Sequence, residues 1–326
     1  MKAAVYRQYG SPEVVRIEEV AKPEPKDDEV LIRVKASTVS SGDWRARSLK
    51  MPAGFGLFAR PVFGIFGPRQ PILGTELAGE IEAVGKAVTK FKVGDAVFAS
   101  SGFGMGCHAE YRTMPEDGPL VPIPAGASFE EAAAISFGGN TALYYLRDLG
   151  TIAAGDEVLI IGASGAVGSA SVQLAKHFGA RVTAVTSTPN VERVKTLGAD
   201  RVIDYTTTSF LDDGKQYDLV FDTVGSIEYA SCRAALKEEG RLLLCGASLP
   251  QMLKSMWDAK SSKQKVFAGA ASERVENLRY LKDLVESGQY RPLIDRSYPL
   301  DRIVDAHAYV EAGRKRGSVV VTMARA

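Results

Sequence analysis

A glycine-rich turn near the middle of the chain has the residue types and spacing that bind a diphosphate. It has the pattern A-x-G-x-x-G from Ala163 to Gly168, with Gly162 directly before it. Gly165 allows a diphosphate to approach the backbone, and Gly168 allows a helix to pack closely on a strand. The N–H groups and the positive dipole of the helix start then hold the negative charge. The predicted ligand contacts in this turn are Gly162, Ser164, Gly165, Ala166, Val167 and Gly168.

The segments that flank this turn provide the context that a dinucleotide-binding motif needs. Glu157–Ile161 is mostly β-branched or leucine, which predicts a buried parallel strand. Ser169–Phe178 has apolar residues on one helical face and is followed by Gly179, a typical helix stop. The alternative is an ordinary connection between a strand and a helix, with glycines present by chance. The order of strand, turn and helix favours dinucleotide binding.

The composition predicts a globular protein with two domains and with neither a nucleic-acid nor a membrane partner. The chain has 326 residues, of which 45% are hydrophobic and 24% are charged. Its net charge of +1 gives no basic surplus for nucleic acid or an anionic membrane. No apolar run approaches the roughly 20 residues that span a bilayer. Three widely separated cysteines, Cys107, Cys232 and Cys245, predict reduced thiols in a cytoplasmic protein.

Hydrophobic periodicity predicts a β-rich first third, followed by an alternation of helices and strands. The predicted early strands are Ala3–Val5, Val14–Glu18, Glu29–Ser37, Glu80–Val84 and Asp95–Ala99. From Phe129 onward, six strands with helices between them are typical of a doubly wound parallel sheet. These strands are Glu157–Ile161, Arg181–Thr186, Arg201–Asp204, Asp218–Asp222, Arg241–Cys245 and Val266–Gly269. Predicted helices in this part include Glu130–Ile135, Thr141–Leu149, Val191–Leu197 and Glu228–Leu236.

The tail after Ser272 predicts a helix, a strand, a second helix and a final strand at Ser318–Met323. We expect this tail to return to the first domain. A nucleotide-binding domain of residues 129–271 would then be inserted into a catalytic domain made of residues 1–128 and 272–326.

The segment between Leu49 and Pro71 contains four phenylalanines among many glycines and prolines. It predicts neither a clean helix nor a strand, and loops of this length are usually functional or mobile. Its aromatic side chains either line an apolar substrate mouth or fix the loop to the core, and both interpretations remain open.

The residues after the second strand of the predicted parallel sheet indicate which dinucleotide binds. In NAD sites, a carboxylate at this point accepts the ribose hydroxyl groups. Here the strand ends at Thr186 without an acidic residue directly after it. The hydroxyl groups of Ser187 and Thr188, together with Arg193, suit a 2′-phosphate, so the sequence favours NADPH.

Two further residues near this point bear on the choice of cofactor. Glu192 argues against NADPH, because an acidic residue near this point favours NAD. However, Thr188 as N-cap and Pro189 at the first helical position would place Glu192 inside the next helix. Tyr205 either closes over the adenosine phosphate or is a surface aromatic residue, and both roles remain open.

Short motifs occur in a specific order along nearly the whole chain. They are Met1–Val5, Leu73–Gly79, Val93–Asp95, Ala109–Tyr111, Leu197–Asp200, Val202–Tyr205, Asp222–Gly225 and Arg316–Val320. Together with the glycine turn they resemble the medium-chain dehydrogenase/reductase superfamily, in its zinc-free quinone oxidoreductase (zeta-crystallin-like) branch. The resemblance implies a Rossmann doubly wound parallel sheet inserted into a GroES-like, partly closed β-barrel domain, with the active site in the cleft between them. It also implies a homodimer formed through the edge strand of the Rossmann sheet.

Zinc-dependent members of this superfamily use Cys and His ligands for a catalytic metal. The matching positions here are Ser40, Thr75 and a position near Phe137, and these residue types cannot form a tetrahedral N/S site. Cys107 and His108 are adjacent, and we predict that both are structural. The sequence therefore predicts no metal site.

Without zinc, the resemblance implies NADPH-dependent reduction of a quinone or an α,β-unsaturated carbonyl, because a conjugated acceptor delocalises the developing charge. The alternatives are a trans-2-enoyl-thioester reductase and an NADPH-binding protein with little turnover. Ser40 and Ser41 are the candidate catalytic residues, or else they stabilise their turn, with Asp43 as a cap. No proton donor is assigned, and Tyr111 and Tyr144 remain open.

The remaining predicted cofactor contacts follow from the fold and from the resemblance, because ligands bind at the carboxyl ends of parallel strands. They are Thr141, expected to open a helix, and Thr223, Val224, Gly246, Ala247, Phe267, Arg316 and Gly317.

Overall fold

The computed structural model describes residues 1–211 and 214–323, which form two compact units. The first unit consists of Met1–Met51, Gly56–Asn140 and the chain from Glu273 onward. The second unit consists of Pro52–Phe55 and Thr141–Ser272. Among the described residues, no helix is both long enough and apolar enough to cross a membrane.

Fifteen strands are found in the described chain. They are β1 (Lys2–Val5), β2 (Arg16–Glu19), β3 (Glu29–Val39), β4 (Glu76–Val84), β5 (Ala96–Ser100), β6 (Tyr111–Pro115), β7 (Leu120–Pro122), β8 (Glu157–Ile161), β9 (Arg181–Thr186), β10 (Arg201–Asp204), β11 (Tyr217–Asp222), β12 (Leu236–Leu244), β13 (Lys265–Ala268), β14 (Ile294–Pro299) and β15 (Ser318–Thr322).

The described residues also form ten α-helices. They are α1 (Ser41–Ser48), α2 (Gly56–Phe63), α3 (Phe129–Ala133), α4 (Ser136–Leu143), α5 (Ala166–His177), α6 (Val191–Lys195), α7 (Tyr229–Cys232), α8 (Leu249–Ala259), α9 (Val275–Glu286) and α10 (Ile303–Glu311).

The second unit is built on a six-stranded parallel sheet with the order β10-β9-β8-β11-β12-β13. This order is that of the doubly wound nucleotide-binding fold, in which the strand order reverses beside the first strand. The central strands are buried on both faces, as expected from their continuous apolar sequences. All six predicted strands are present, although β12 begins at Leu236, five residues before the predicted start at Arg241.

The first unit is built on a largely antiparallel sheet with the order β14-β15-β3-β4-β5-β7, and β6 also pairs with β3. The long strand β3 is its centre, because β15, β4 and β6 all pair with it. Its apolar core includes Ile32, Leu77 and Val319, all fully buried. The C-terminal strand β15 therefore completes the sheet that begins with β3.

Three predictions about helices are wrong. The Leu49–Pro71 segment contains helix α2, which accommodates Pro61 within eight residues. The helix expected at Glu228–Leu236 is reduced to the four residues of α7 and a short 3₁₀ turn, because the chain enters β12 at Leu236. The helix expected to open at Thr141 begins earlier, at Ser136.

The glycine turn joins β8 to α5 with almost no space between them. Gly162 has a φ of +80°, and a Cβ atom there would lie 2.7 Å from Thr223 Oγ1. A Cβ atom on Gly168 would lie 2.1 Å from the Gly162 carbonyl oxygen, whereas one on Gly165 would meet the same oxygen at 3.6 Å. Gly168 is therefore required by packing, and Gly165 is not.

Alanine substitutions separate these two glycines. We expect Gly168→Ala to lower the free energy of unfolding by about 3 kcal/mol, because the new methyl group meets rigid backbone. Gly165→Ala, the matched control, is expected to change it by less than about 1 kcal/mol. Urea unfolding of both variants measures the difference, and equal losses would contradict the packing argument.

Candidate cofactor and active site

Five of the predicted cofactor contacts lie at one edge of the parallel sheet in the second unit. Gly162 follows β8, Ser187 follows β9, Tyr205 follows β10, Thr223 follows β11, and Gly246 lies two residues beyond β12. Because all six strands run in the same direction, their carboxyl ends meet at this edge, where ligands of open α/β sheets bind. The structure therefore brings these five positions together.

The start of helix α5 lies at the same edge. Gly165 is its N-cap, and Ala166 and Val167 are its first two residues. The N–H groups of a first helical turn have no partner within the helix, and they carry the positive end of its dipole. Ser164, half-buried, lies just before them. This part of the turn suits an anionic group.

Two buried polar atoms, one at the end of β9 and one in the turn after it, make no hydrogen bond to any described residue. They are Thr186 Oγ1 and Asn190 Oδ1. The amide nitrogen of Asn190 donates to Ser187 Oγ at 3.0 Å. Buried polar atoms without a partner are rare in folded proteins and often await a ligand or water. Sequence reasoning overlooked Thr186 and Asn190, although both belong to the polar run that it used.

The backbone after β9 differs from the prediction. Thr188 does not cap a helix, because a 3₁₀ turn, Thr188–Asn190, precedes α6 and Ser187 is the residue before that turn. The Thr188 hydroxyl group lies instead 2.9 Å from Thr206 Oγ1. Glu192 lies in the first turn of α6 and forms an ion pair with Lys195 at 2.7 Å.

An acidic residue that sequence reasoning missed lies beside Thr188. Asp204, the last residue of β10, accepts hydrogen bonds from the amide of Thr206 at 3.0 Å and from its hydroxyl group at 2.7 Å. Hydrogen bonds from Thr188 and then Thr206 lower the pKa of its carboxyl group. Asp204 does not belong to the residues that follow β9 in the sequence, and the pairing of β10 with β9 places it beside them.

A buried carboxylate shapes the loop after β11. Asp222 accepts hydrogen bonds from four successive backbone amides, from Val224 at 3.0 Å to Ile227 at 2.9 Å. The Thr223 hydroxyl group donates to the carbonyl oxygen of Ile161 at 2.8 Å, which ties this loop to the end of β8. Val224 is left more than half exposed at the sheet edge.

The other predicted cofactor contacts of the second unit are spread over a loop, a strand and a helix. Ala247 is fully buried beside Gly246, and Phe267 lies half-buried within β13, paired with Leu243. Thr141 lies inside α4 and is half-buried. Its hydroxyl group is therefore not at a helix start, because the helix continues from the turn after α3.

In the first unit, Ser40 is fully engaged in capping α1. Its hydroxyl oxygen accepts from the amides of Gly42 and Asp43, and the hydroxyl group donates to Asp43 Oδ2 at 2.6 Å. Asp43 Oδ1 in turn accepts from the amide of Gly74 at 2.9 Å. With its donor and both lone pairs used, Ser40 has the geometry of the turn-stabilising alternative. The neighbouring Ser41 is half-buried, and its hydroxyl group bonds to no described residue.

The C-terminal candidates lie in the loop before β15. Gly317 has a φ of +119°, and a Cβ atom there would lie 2.2 Å from the Leu293 carbonyl oxygen. The amide of Arg316 donates to Asp295 at 2.7 Å, while its side chain is exposed. Lys315, which sequence reasoning missed, donates to the Gly317 carbonyl oxygen at 3.0 Å, and burial lowers its pKa to about 8.

A second buried carboxyl group lies at the start of β4. Glu76 is 1% exposed. Its side chain bonds to the hydroxyl group of Thr38 and accepts from the amide of Phe137 at 2.6 Å. Burial raises its pKa to about 8, despite these two hydrogen bonds. Glu76 is therefore mostly protonated at neutral pH, and the sequence offered no signal for this beyond an acidic residue in an apolar strand.

Comparisons with known proteins agree on one family. A model described as alcohol dehydrogenase GroES-like domain matches residues 26–125, and one described as zinc-binding dehydrogenase matches residues 197–321. A 2-methylene-furan-3-one reductase of Solanum lycopersicum is 35% identical over 98% of this chain and 79% of its own length. The chain belongs to the medium-chain dehydrogenase/reductase superfamily.

Further relatives specify the branch of this superfamily. An NADPH-dependent alkenal/one oxidoreductase, chloroplastic, of Arabidopsis thaliana is 33% identical over 98% of this chain and 79% of its own length. The solved quinone oxidoreductase from Coxiella burnetii matches 100% of this chain and 99% of its own, with a TM-score of 0.87 and 30% identity. The chain lies in the quinone oxidoreductase branch, and the predicted fold class is confirmed.

Within this superfamily, zinc does not fit the residues of this chain. Thr75, in one of the positions matched to a metal ligand, offers only a hydroxyl group. Cys107 lies 3.2 Å from Ser101 Oγ, and burial raises its pKa to about 12. His108 Nε2 lies 2.8 Å from the Thr38 carbonyl oxygen. Among residues 1–211 and 214–323, no three His, Cys, Asp or Glu side chains form a group that could hold a metal.

A nicotinamide dinucleotide does fit, because the second unit offers an open helix start and unpartnered polar atoms at one sheet edge. Membership of the superfamily likewise indicates a nicotinamide cofactor. Ser187, Thr186 and Asn190 would hold its adenosine ribose, and the glycine turn would hold its diphosphate.

The raised pKa of Glu76 predicts a dependence of stability on pH. As the pH rises from about 4.5 to about 8, the unfolded chain releases this proton while the folded chain retains it. The free energy of unfolding therefore decreases over this range. Glu76→Gln cannot ionise and preserves the hydrogen-bonding shape, so we expect it to gain about 3 kcal/mol relative to the natural protein between pH 5 and pH 8.

Urea unfolding at both pH values measures this gain. The control is Glu80→Gln on the same strand, whose carboxylate forms a surface ion pair with Lys35 at 2.9 Å. It is expected to show no such gain. If Glu76→Gln follows the pH dependence of the natural protein, the Glu76 carboxyl group is already ionised in the folded state.

Proposed function

We propose that this protein transfers hydride from NADPH to a quinone or to an α,β-unsaturated carbonyl, without zinc. The printed names of its relatives, an alkenal/one oxidoreductase and a 2-methylene-furan-3-one reductase, support this substrate class. The observation that carries the proposal is that the metal-ligand positions fall on Ser40, Thr75 and a position near Phe137 in a chain whose second unit has a dinucleotide-binding sheet edge. Without a Lewis acid, an acceptor that delocalises its own negative charge is favoured.

When bound, reduced nicotinamide would supply a hydride for the β-carbon of an enone or for a quinone. The chain must then stabilise the oxygen that gains negative charge and provide a proton. Ser41 has a hydroxyl proton that bonds to no described residue. We propose Ser41 as the donor for this oxygen, and solvent restores its proton.

The domain arrangement belongs to the same proposal. The second unit would be the NADPH-binding domain, and the first unit would be the GroES-like catalytic domain. Among the described residues, strand β13 pairs with β12 and with no other strand, so the sheet has an open edge that a second copy of the chain could extend. We propose a homodimer through this edge.

The buried Cys107 and Cys232, both with pKa values raised to about 12, support a protein that keeps its thiols reduced in the cytoplasm.

A substrate panel tests the reaction class. The protein is incubated with NADPH and, separately, 9,10-phenanthrenequinone, methyl vinyl ketone and crotonyl-CoA, and oxidation of the cofactor is followed by its absorbance. We expect turnover of the quinone and the enone. Turnover of crotonyl-CoA alone would favour an enoyl-thioester reductase. Binding of NADPH without turnover of any of the three would indicate a cofactor-binding protein.

A pair of variants tests the choice of cofactor. We expect Arg193→Ala to raise KM for NADPH about 10-fold or more and to leave KM for NADH almost unchanged, because a phosphate loses a charge-assisted hydrogen bond. Asp204→Asn is expected to act in the opposite sense, lowering KM for NADPH, because it removes a negative charge beside Thr188. The control is Arg181→Ala at the far end of β9, which should change neither value.

Steady-state kinetics with both cofactors decides the outcome. Equal effects of Arg193→Ala on NADPH and NADH would refute the assignment of the phosphate site. An increase in KM for NADH alone in Asp204→Asn would show that Asp204 holds a ribose hydroxyl group and that NADH is the cofactor.

A further inference from the structure

Apolar side chains stand exposed on helix α2 and the loop after it. We name this set the Phe66 patch; it consists of Leu57, Phe58, Val62, Ile65 and Phe66. Leu57 is 81% exposed, Phe66 is fully exposed, and the other three are more than half exposed. Single exposed apolar residues are normal, whereas a larger exposed set marks an interaction site for a protein, a membrane or a ligand.

The backbone beneath the Phe66 patch is well fixed. Ala59 is buried, and Phe63 packs against the core of the first unit. The Arg60 guanidinium donates to the carbonyl oxygen of Ile65 at 2.8 Å, and the amide of Arg69 donates to the carbonyl oxygen of Phe63 at 2.8 Å. The inner side of α2 already packs against the core, so the outward apolar residues are not needed to hold the helix in place.

The charge of the chain segment that carries the patch is strongly one-sided. No acidic residue occurs from Trp44 to Thr75, whereas five basic residues do. They are Arg45, Arg47, Lys50, Arg60 and Arg69. Glu311 forms ion pairs with Arg47 and Lys50, which neutralises part of this charge. Within the described chain, Arg60 and Arg69 form no ion pair, and they lie inside and just beyond the patch.

We propose that the Phe66 patch docks on a lipid bilayer that contains anionic headgroups. Exposed phenylalanine and leucine side chains of a short helix insert at the boundary between headgroups and acyl chains, and flanking arginines bind the phosphates. The apolar residues match the acyl chains of such a bilayer, and the unneutralised positive charge matches its anionic headgroups.

The same observations disfavour a second copy of the chain as the occupant. A two-fold interface would bring the patch against itself and would place Arg60 and Arg69 opposite their own copies, without a carboxylate to pair them. The near-neutral net charge of the whole chain predicted no attraction to anionic membranes. That average conceals the local asymmetry, because acidic residues elsewhere balance the basic residues around the patch. The proposal goes beyond the reduction of a carbonyl or quinone and does not depend on it.

Co-sedimentation with vesicles tests the proposal. The full chain is mixed with vesicles of pure phosphatidylcholine, or with vesicles in which about a third of the lipid is phosphatidylglycerol. We expect binding to the anionic vesicles that weakens at high salt, and at least 10-fold weaker binding to phosphatidylcholine alone, since each surface arginine contributes about fivefold. Failure to bind either kind of vesicle would overturn the proposal.

Variants locate the binding surface. Leu57→Ser combined with Phe66→Ser is expected to weaken binding at least 10-fold, because two inserted apolar side chains are lost. Arg69→Gln should weaken binding to anionic vesicles about fivefold and leave the weak binding to phosphatidylcholine unchanged. The matched control is Trp257→Ser, which removes a 74% exposed aromatic residue from α8 in the second unit and should change nothing.

Two further results would contradict the proposal. If the Leu57→Ser, Phe66→Ser protein binds anionic vesicles as the natural protein does, the patch is not the docking surface. If its oligomer dissociates in light scattering without lipid, the patch is covered by a second copy instead. Circular dichroism and thermal unfolding of each variant establish that a loss of binding is not a loss of fold.

Discussion

The close approach of helix α5 to the end of strand β8 constrains the rest of the second unit. The Gly162 carbonyl oxygen occupies the space where a side chain on residue 168 would begin, so only glycine permits this contact. The contact brings the helix start directly to the carboxyl edge of the parallel sheet. Because the strands are parallel, the loops after β9, β10, β11 and β12 all begin at this same edge. Their polar groups therefore form one site.

Buried carboxylates organise the loops of both units in the same way. Asp222 accepts hydrogen bonds from four backbone amides after β11. Asp43 accepts hydrogen bonds from the Ser40 amide, the Ser40 hydroxyl group and the Gly74 amide. A buried charge is tolerated only where hydrogen bonds replace water, so each carboxylate imposes a definite loop shape. In the first unit this arrangement engages Ser40 completely and leaves the hydroxyl group of Ser41 available.

The chemistry of the proposed reaction follows from what these loops present. Neither the Ser40 turn nor the Thr75 position offers a ligand for zinc, and both sulfur and imidazole of the Cys107–His108 pair have protein partners. A protein of this superfamily with such residues is suited to acceptors that spread their own charge. In the first unit, burial also lowers the pKa of Lys315 and raises the pKa of Glu76, each to about 8.

The sequence by itself determined the fold class, the six strands of the parallel sheet and the glycine turn, because strand periodicity and glycine spacing are local properties of the chain. It also determined that the metal-ligand positions are empty of Cys and His. Helix boundaries at Thr188, Thr141 and α2 were decided by tertiary structure, since a 3₁₀ turn or an internal proline depends on the surrounding packing. Asp204 beside Thr188, the protonated Glu76 and the exposed Phe66 patch likewise depend on which strands lie together and which faces meet solvent, and residue spacing along the chain does not encode this directly.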